Sequence, residues 1–233
     1  MTVSSVAALL RQVALFSSLP DEKLSALACR SRTQRYREQQ EILSVDDNST
    51  DVFFILSGRI EVRSYSENGR EFIFSTIGSG EVFGEFAAID GRPRSASVVA
   101  LVDSLVCRMS SSEFLSVLSS NFDIALKLMR LLTAKLRALT DRQLELVAVS
   151  SRGRVLSELA RLANSGIKCG ASITIQPAPT HYEIAARVGS QREAVTKELN
   201  RLEALGYLRV RRKLIVILDM ARFRDDLLAV HNL

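Results

Sequence analysis

The sequence predicts an α+β chain in three parts: a β-roll with N-terminal helices over residues 1–110, a long helix over 111–150, and a winged helix-turn-helix over 151–233. Three observations carry this reading. Between Arg35 and Arg108 short strand-forming runs are divided by glycine and asparagine turns; Ser111 to Val149 holds neither Pro nor Gly; and Thr180-x-x-Glu183 is followed by Ser190-x-x-Glu193 with Gly189 between them.

In the first part, Val6 to Phe16 is apolar but interrupted by Arg11, the pattern of an amphipathic helix rather than a secretory signal. Val52-Phe53-Phe54-Ile55-Leu56 before Ser57-Gly58, then Ile60-Glu61-Val62, read as short alternating strands. Asn68-Gly69 is a strong hairpin turn between Ile60–Tyr65 and Glu71–Ile77. Asn48-Ser49-Thr50 matches a glycosylation sequon and, without an export signal, is read as a polar turn.

In the long helix, Ala125, Met129, Leu132, Leu136, Leu139, Gln143 and Leu146 recur at steps of four and three, the spacing of a coiled-coil seam. One helix offers no core for such a seam; it could pack on the barrel of the same chain, but a stripe this long and narrow suits a two-fold dimer, with Gln143 helping to fix register. Ser150-Ser151-Arg152-Gly153 ends the helix. Val155 to Ala163 reads as a helix and Ser172 to Gln176 as a strand.

The two Thr/Ser-x-x-Glu runs are capping boxes opening two successive helices. Turning about 100° per residue from Arg192 places Thr196, Glu193 and Lys197 near 40°, 100° and 140°, and Leu202, Val195 and Leu199 near 280°, 300° and 340°. One face packs while the other is free to meet a partner. Arg and Lys suit guanine O6 and N7, and an acid accepts from cytosine N4, so Arg192, Glu193 and Lys197 form a base-reading set. Charge agrees: residues 151–233 hold 14 Lys+Arg against 8 Asp+Glu, whereas residues 1–150 hold 17 against 18. Tyr207 to Arg211 and Leu214 to Leu218 form a wing whose Arg209, Arg211, Arg212 and Lys213 would meet phosphates.

The run at 82–99, Val-Phe-Gly-Glu-Phe-Ala-Ala-Ile-Asp-Gly-Arg-Pro-Arg-Ser-Ala-Ser-Val-Val, has the composition that a small cyclic phosphodiester requires. Arg94 can fork onto exocyclic oxygens, Gly84 admits a close backbone approach, and Glu85 supplies an acceptor for a sugar hydroxyl. A helical turn over Glu85 to Ile89 would aim free N–H groups at the same anion.

Gly84-Glu85-Phe86-Ala87 with Arg94-Ser95 resembles the phosphate-binding cassette of the cyclic-AMP receptor protein family (the CRP/FNR superfamily), and Gly-Ser-Gln-Arg-Glu-Ala-Val-Thr-Lys at 189–197 resembles its recognition element. The resemblance spans nearly the whole chain, including Leu-Phe-Ser-Ser-Leu-Pro at 15–20. It implies a homodimeric regulator in the cytoplasm that binds cyclic AMP or cyclic GMP as an allosteric ligand. It also implies double-stranded DNA with palindromic TGTGA-like sites as the target and RNA polymerase as a protein partner. On these motifs the nucleotide is met by Gly84, Glu85, Phe86, Ala87, Arg94, Ser95 and Thr140, and DNA by Ser190, Gln191, Arg192, Glu193, Thr196, Lys197, Arg212 and Lys213. The family offers a hydroxyl pair to the base, whereas this chain has Leu139-Thr140, so cyclic AMP and cyclic GMP both stay open. A regulator of the same superfamily that answers another effector, or none, is the alternative.

Other classes fit poorly. There is no Gly-x-Ser-x-Gly, His-Glu-x-x-His or Gly-Lys-Ser/Thr phosphate loop, so no catalytic residues are expected. Cys29, Cys107 and Cys169 with His181 and His231 are too scattered for a metal site or the gas-sensing branches. No apolar run approaches the roughly 20 residues of a spanning helix, so no membrane partner is expected.

Overall fold

The computed structural model describes residues 2–67, 69 and 71–231, with side chains to residue 225. It divides into two units, Met1–Lys135 and Leu136–Leu233. The first opens with α1 (Val3–Leu10) and α2 (Asp21–Arg30), then β1 (Arg32–Tyr36), β2 (Glu41–Leu43), β3 (Val52–Ser57), β4 (Arg59–Tyr65), β5 (Glu71–Gly78) and β6 (Val82–Phe83). A short α3 (Glu85–Asp90), β7 (Ser97–Ala100), β8 (Ser104–Met109) and α4 (Ser111–Ser120) follow, and α5 (Phe122–Ala148) crosses into the second unit.

The eight strands form two four-stranded antiparallel sheets, β1-β8-β3-β6 and β2-β7-β4-β5, which is the expected roll. Asn68 of the hairpin turn lies outside the described residues; Gly69 takes φ +72° and the flanking strands pair from Tyr65 with Glu71. β3 departs from alternation. All of Val52 to Leu56 is buried, because Phe53 and Ile55 face the interior of the roll while Val52, Phe54 and Leu56 face the helices. A strand covered on both faces reads as a continuous apolar run.

The helical layer on that second face joins Leu10, Phe16 and Leu24 to Phe114 of α4 and to Ile124 and Leu128 of α5. Cys107 is buried in the same cluster, and burial pushes its thiol up to about 11, whereas Cys29 and Cys169 are exposed. Two thiols per native chain should therefore react with Ellman's reagent near neutral pH, and a third only after denaturation. Rapid reaction of all three in the native protein would contradict this core.

The helix expected over 111–149 is broken. α4 ends at Ser120, and Asn121 is extended, with φ −143° and ψ 90°. Ser120 Oγ donates to Ser116 O at 2.6 Å and Asn121 Nδ2 to Val117 O at 3.0 Å, satisfying terminal carbonyls, while Asn121 O accepts from Ile124 N and Ala125 N to start α5. Local side-chain bonds of Ser and Asn outcompete the continuing helix.

Of the seam positions, Leu132 packs against the core of the first unit and the others stay outside it. Met129 is 49% exposed, Leu136 65%, Leu139 52% and Leu146 53%; Gln143 is also exposed, and Ala125 and Leu132 are half-buried. Ile124 and Leu128 pack inward instead.

In the second unit Ser150 caps α6 (Ser151–Asn164) by accepting from Gly153 N at 3.2 Å. β9 (Ile167–Cys169) and β10 (Ser172–Ile175) precede α7 (His181–Val188) and α8 (Arg192–Ala204), and β11 (Leu208–Arg211) and β12 (Leu214–Ile217) precede α9 (Met220–His231). The sheet order is β11-β12-β10-β9. Neither β9 nor α9 was read from the sequence. Among the described residues no helix is long and apolar enough to cross a membrane.

Candidate functional site

The cassette is built on a turn that only glycine suits. Gly84 holds φ +77°, and a Cβ there would stand 2.8 Å from Arg94 Nη1 and 3.0 Å from Asp51 O. The turn delivers Glu85 into the first residue of α3, where it is 3% exposed. Its Oε1 accepts from Lys135 Nζ of α5 at 2.7 Å, and the same ammonium lies 5.8 Å from the centre of the Phe86 ring. Ala87 is buried; Phe86 and Ser95 are exposed.

Arg94 is 4% exposed and heavily engaged. Nη1 donates to Gly84 O at 2.9 Å, Nη2 to Asp51 O at 2.8 Å, and Nε and Nη2 to Ser49 Oγ at 3.2 and 3.1 Å. Its guanidinium lies 5.7 Å from the centre of the Phe53 ring. Among the described residues every one of these acceptors is a neutral oxygen. The Asp51 carboxylate is taken by Arg108, and Asp47, Asp51 and Glu85 act on Arg94 only at longer range. Burial accordingly lowers the Arg94 pKa, those carboxylates opposing it. A buried cation without a contacting counter-ion is costly unless an anion joins it.

Thr140 belongs to the second unit; it is exposed and donates to Leu136 O at 3.1 Å. The structure thus brings Gly84, Glu85, Ala87 and Arg94 together and adds Ser49, Asp51 and Lys135, which the sequence reading missed. Ser49 lay hidden in what read as a polar turn. No local pattern links Lys135 to a carboxylate fifty residues earlier.

In the second unit the first capping box is present. Thr180 Oγ1 accepts from Glu183 N at 3.2 Å and Glu183 Oε2 accepts from Thr180 N. The second is not: α8 begins at Arg192 with Gln191 as its cap and no side-chain cap bond, while Ser190 Oγ lies 2.6 Å from Ser151 Oγ. The Ser190 hydroxyl stands against α6 instead. Gly189 ends α7 at φ +61°.

On α8, Val195, Leu199 and Leu202 are fully buried, whereas Gln191, Arg192, Glu193 and Lys197 are exposed and Thr196 is half-buried, matching the expected faces. At the wing tip Arg212 and Lys213 are exposed, with Lys213 at φ +55°. Arg209 is exposed too, but Arg211 lies 3.5 Å from Glu203, which offsets its charge. One module thus carries a basic hairpin and an exposed polar helix face.

Comparison with known proteins matches a domain in each unit. Residues 33–121 match the cyclic nucleotide-binding domain and residues 153–225 the Crp-like helix-turn-helix domain. The chain is 24% identical over 215 residues to the CRP-like cAMP-activated global transcriptional regulator of Mycobacterium tuberculosis, covering 92% of this chain and 96% of that one. It is 28% identical over 197 residues to the cyclic AMP receptor protein of Thermus thermophilus, covering 84% and 88%. The structure of FixK2 from Bradyrhizobium japonicum shares the fold, with a TM-score of 0.71 at 21% identity, covering 84% of this chain and 96% of that one. With a cyclic-nucleotide cassette in its first unit and a basic winged helix-turn-helix in its second, the chain belongs to the CRP family of transcription regulators.

Proposed function

We propose that this chain is a homodimer whose grip on palindromic TGTGA-like DNA is switched on by a cyclic nucleotide, cyclic AMP in the first instance. The observation that carries the reading is Arg94, a buried guanidinium whose hydrogen bonds among the described residues all go to neutral oxygens. A phosphodiester monoanion supplies the missing charge and takes two parallel bonds from the guanidinium by displacing the Ser49 hydroxyl from its Nε–Nη2 edge. Glu85 accepts the ribose hydroxyl, and Gly84, Phe86, Ala87 and Ser95 complete the cassette. The names of the two bacterial relatives support cyclic AMP. Cyclic GMP is the competing ligand, since Thr140 offers the base a single hydroxyl.

The exposed Met129, Leu136, Leu139 and Leu146, in line with Gln143, support dimerisation along α5, because a second copy would cover apolar surface that the chain leaves in water. Two recognition helices then stand about one DNA turn, roughly 34 Å, apart. The nucleotide acts by binding the DNA-competent arrangement more tightly than the other. In this reading the protein works in the cytoplasm with RNA polymerase as its partner.

Two variants test the DNA half. Glu193→Ala should relax preference at one base pair of each half-site, losing roughly tenfold discrimination. Arg212→Ala or Lys213→Ala should weaken binding to every sequence alike and lower the slope of log affinity against log salt by about one per phosphate lost. Anisotropy titrations over a salt series distinguish the two. Unchanged sequence preference in Glu193→Ala would remove it from the readout.

A further inference from the structure

Thr196 stands on the exposed side of α8, yet its oxygen is already committed. Oγ1 donates its one hydrogen to Arg192 O at 2.9 Å and lies 2.9 Å from His181 Nδ1, the first residue of α7. With that hydrogen spent on a carbonyl, the bond to the imidazole requires Thr196 to accept and His181 Nδ1 to donate. The two contacts hold the threonine rotamer from two sides, by its own helix and by the neighbouring one.

We infer that His181 is a positioning residue that turns the Thr196 hydroxyl away from DNA, so that Thr196 offers its γ-methyl to a thymine C5-methyl group. The inference rests on the DNA-binding reading above and refines it. Arg192, Glu193 and Lys197 offer only charged, hydrogen-bonding groups, suited to guanine and cytosine edges; a methyl between them adds a contact that a charged side chain cannot make. Thymine is the base whose major-groove edge carries a methyl group. His181 gains its role from geometry alone, since it need not touch a base itself.

The test uses the full-length protein with cyclic AMP and the duplex that it selects from a randomised palindromic pool. Each thymine pair is replaced symmetrically by deoxyuridine, which removes the methyl and nothing else. Wild type should lose about fourfold in affinity per half-site at one position. Thr196→Val, which keeps a methyl, should retain that loss; Thr196→Ser, which keeps only the hydroxyl, should abolish it. His181→Ala should shrink the deoxyuridine penalty to under about twofold, and His181→Asn, with an amide donor near the Nδ1 place, should restore it. A merely structural histidine would lower stability without changing which methyl is felt.

Insensitivity of wild type to every thymine, or a full penalty in Thr196→Ser or His181→Ala, overturns the inference. If Glu193→Ala still shifts preference on the same duplex, the DNA-binding reading survives that failure. Selection of no sequence at all from the pool would sink both.

Discussion

Replacing Arg94 by leucine should weaken cyclic-nucleotide binding at least a hundredfold while leaving a folded protein. Two charge-assisted bonds to a phosphodiester, each contributing roughly 1.5–3 kcal/mol, account for that factor. The substitution also strips donors from Gly84 O and Asp51 O, so melting should fall by a few degrees. Arg94→Lys separates charge from geometry, since an ammonium keeps the positive charge but cannot fork. It should sit between wild type and leucine. Calorimetric titration measures the affinities and circular dichroism checks the fold; wild-type affinity in a folded Arg94→Leu protein would contradict the cassette assignment.

The double variant Leu136→Glu/Leu139→Glu should turn the proposed dimer into monomers. Both residues are more than half exposed in the single chain, so the change leaves its fold intact while placing four carboxylates in a seam meant to be apolar. Affinity for a two-half-site palindrome should drop by at least a hundredfold, because the second recognition helix no longer arrives at the effective concentration set by the first. Affinity for one isolated half-site should change little. Analytical ultracentrifugation gives the mass directly. A dimer of unaltered mass would move the interface elsewhere on the chain.

Much of this molecule is readable locally. Strand runs, the Thr180 capping box and the 3.6-residue partition of α8 each follow from a few neighbouring residues, and the structure reproduces them. Failures occur where a distant group competes. Ser190 forms no capping box, and its hydroxyl stands against Ser151 of another helix. The break at Asn121 depends on whether side-chain bonds to Ser116 and Val117 carbonyls outweigh continued helix, a balance that apolar periodicity does not register. In the cassette, Gly84, Glu85 and Arg94 announce themselves as one string, whereas Ser49, Asp51 and Lys135 join through folding alone. Lys135 also adds to the reading of Glu85. Its carboxylate meets a cation already, so a ribose hydroxyl would share that oxygen pair rather than find it unengaged.

One experiment bears on the whole proposal most directly: calorimetric titration of the purified protein with cyclic AMP and with cyclic GMP, alone and with a palindromic TGTGA duplex present. Nucleotide affinity should rise by the same factor when DNA is bound as DNA affinity rises when nucleotide is bound, since linkage is reciprocal. That factor should be at least tenfold for one of the two nucleotides. Affinities for duplex that are identical with and without either nucleotide would contradict the proposed switch.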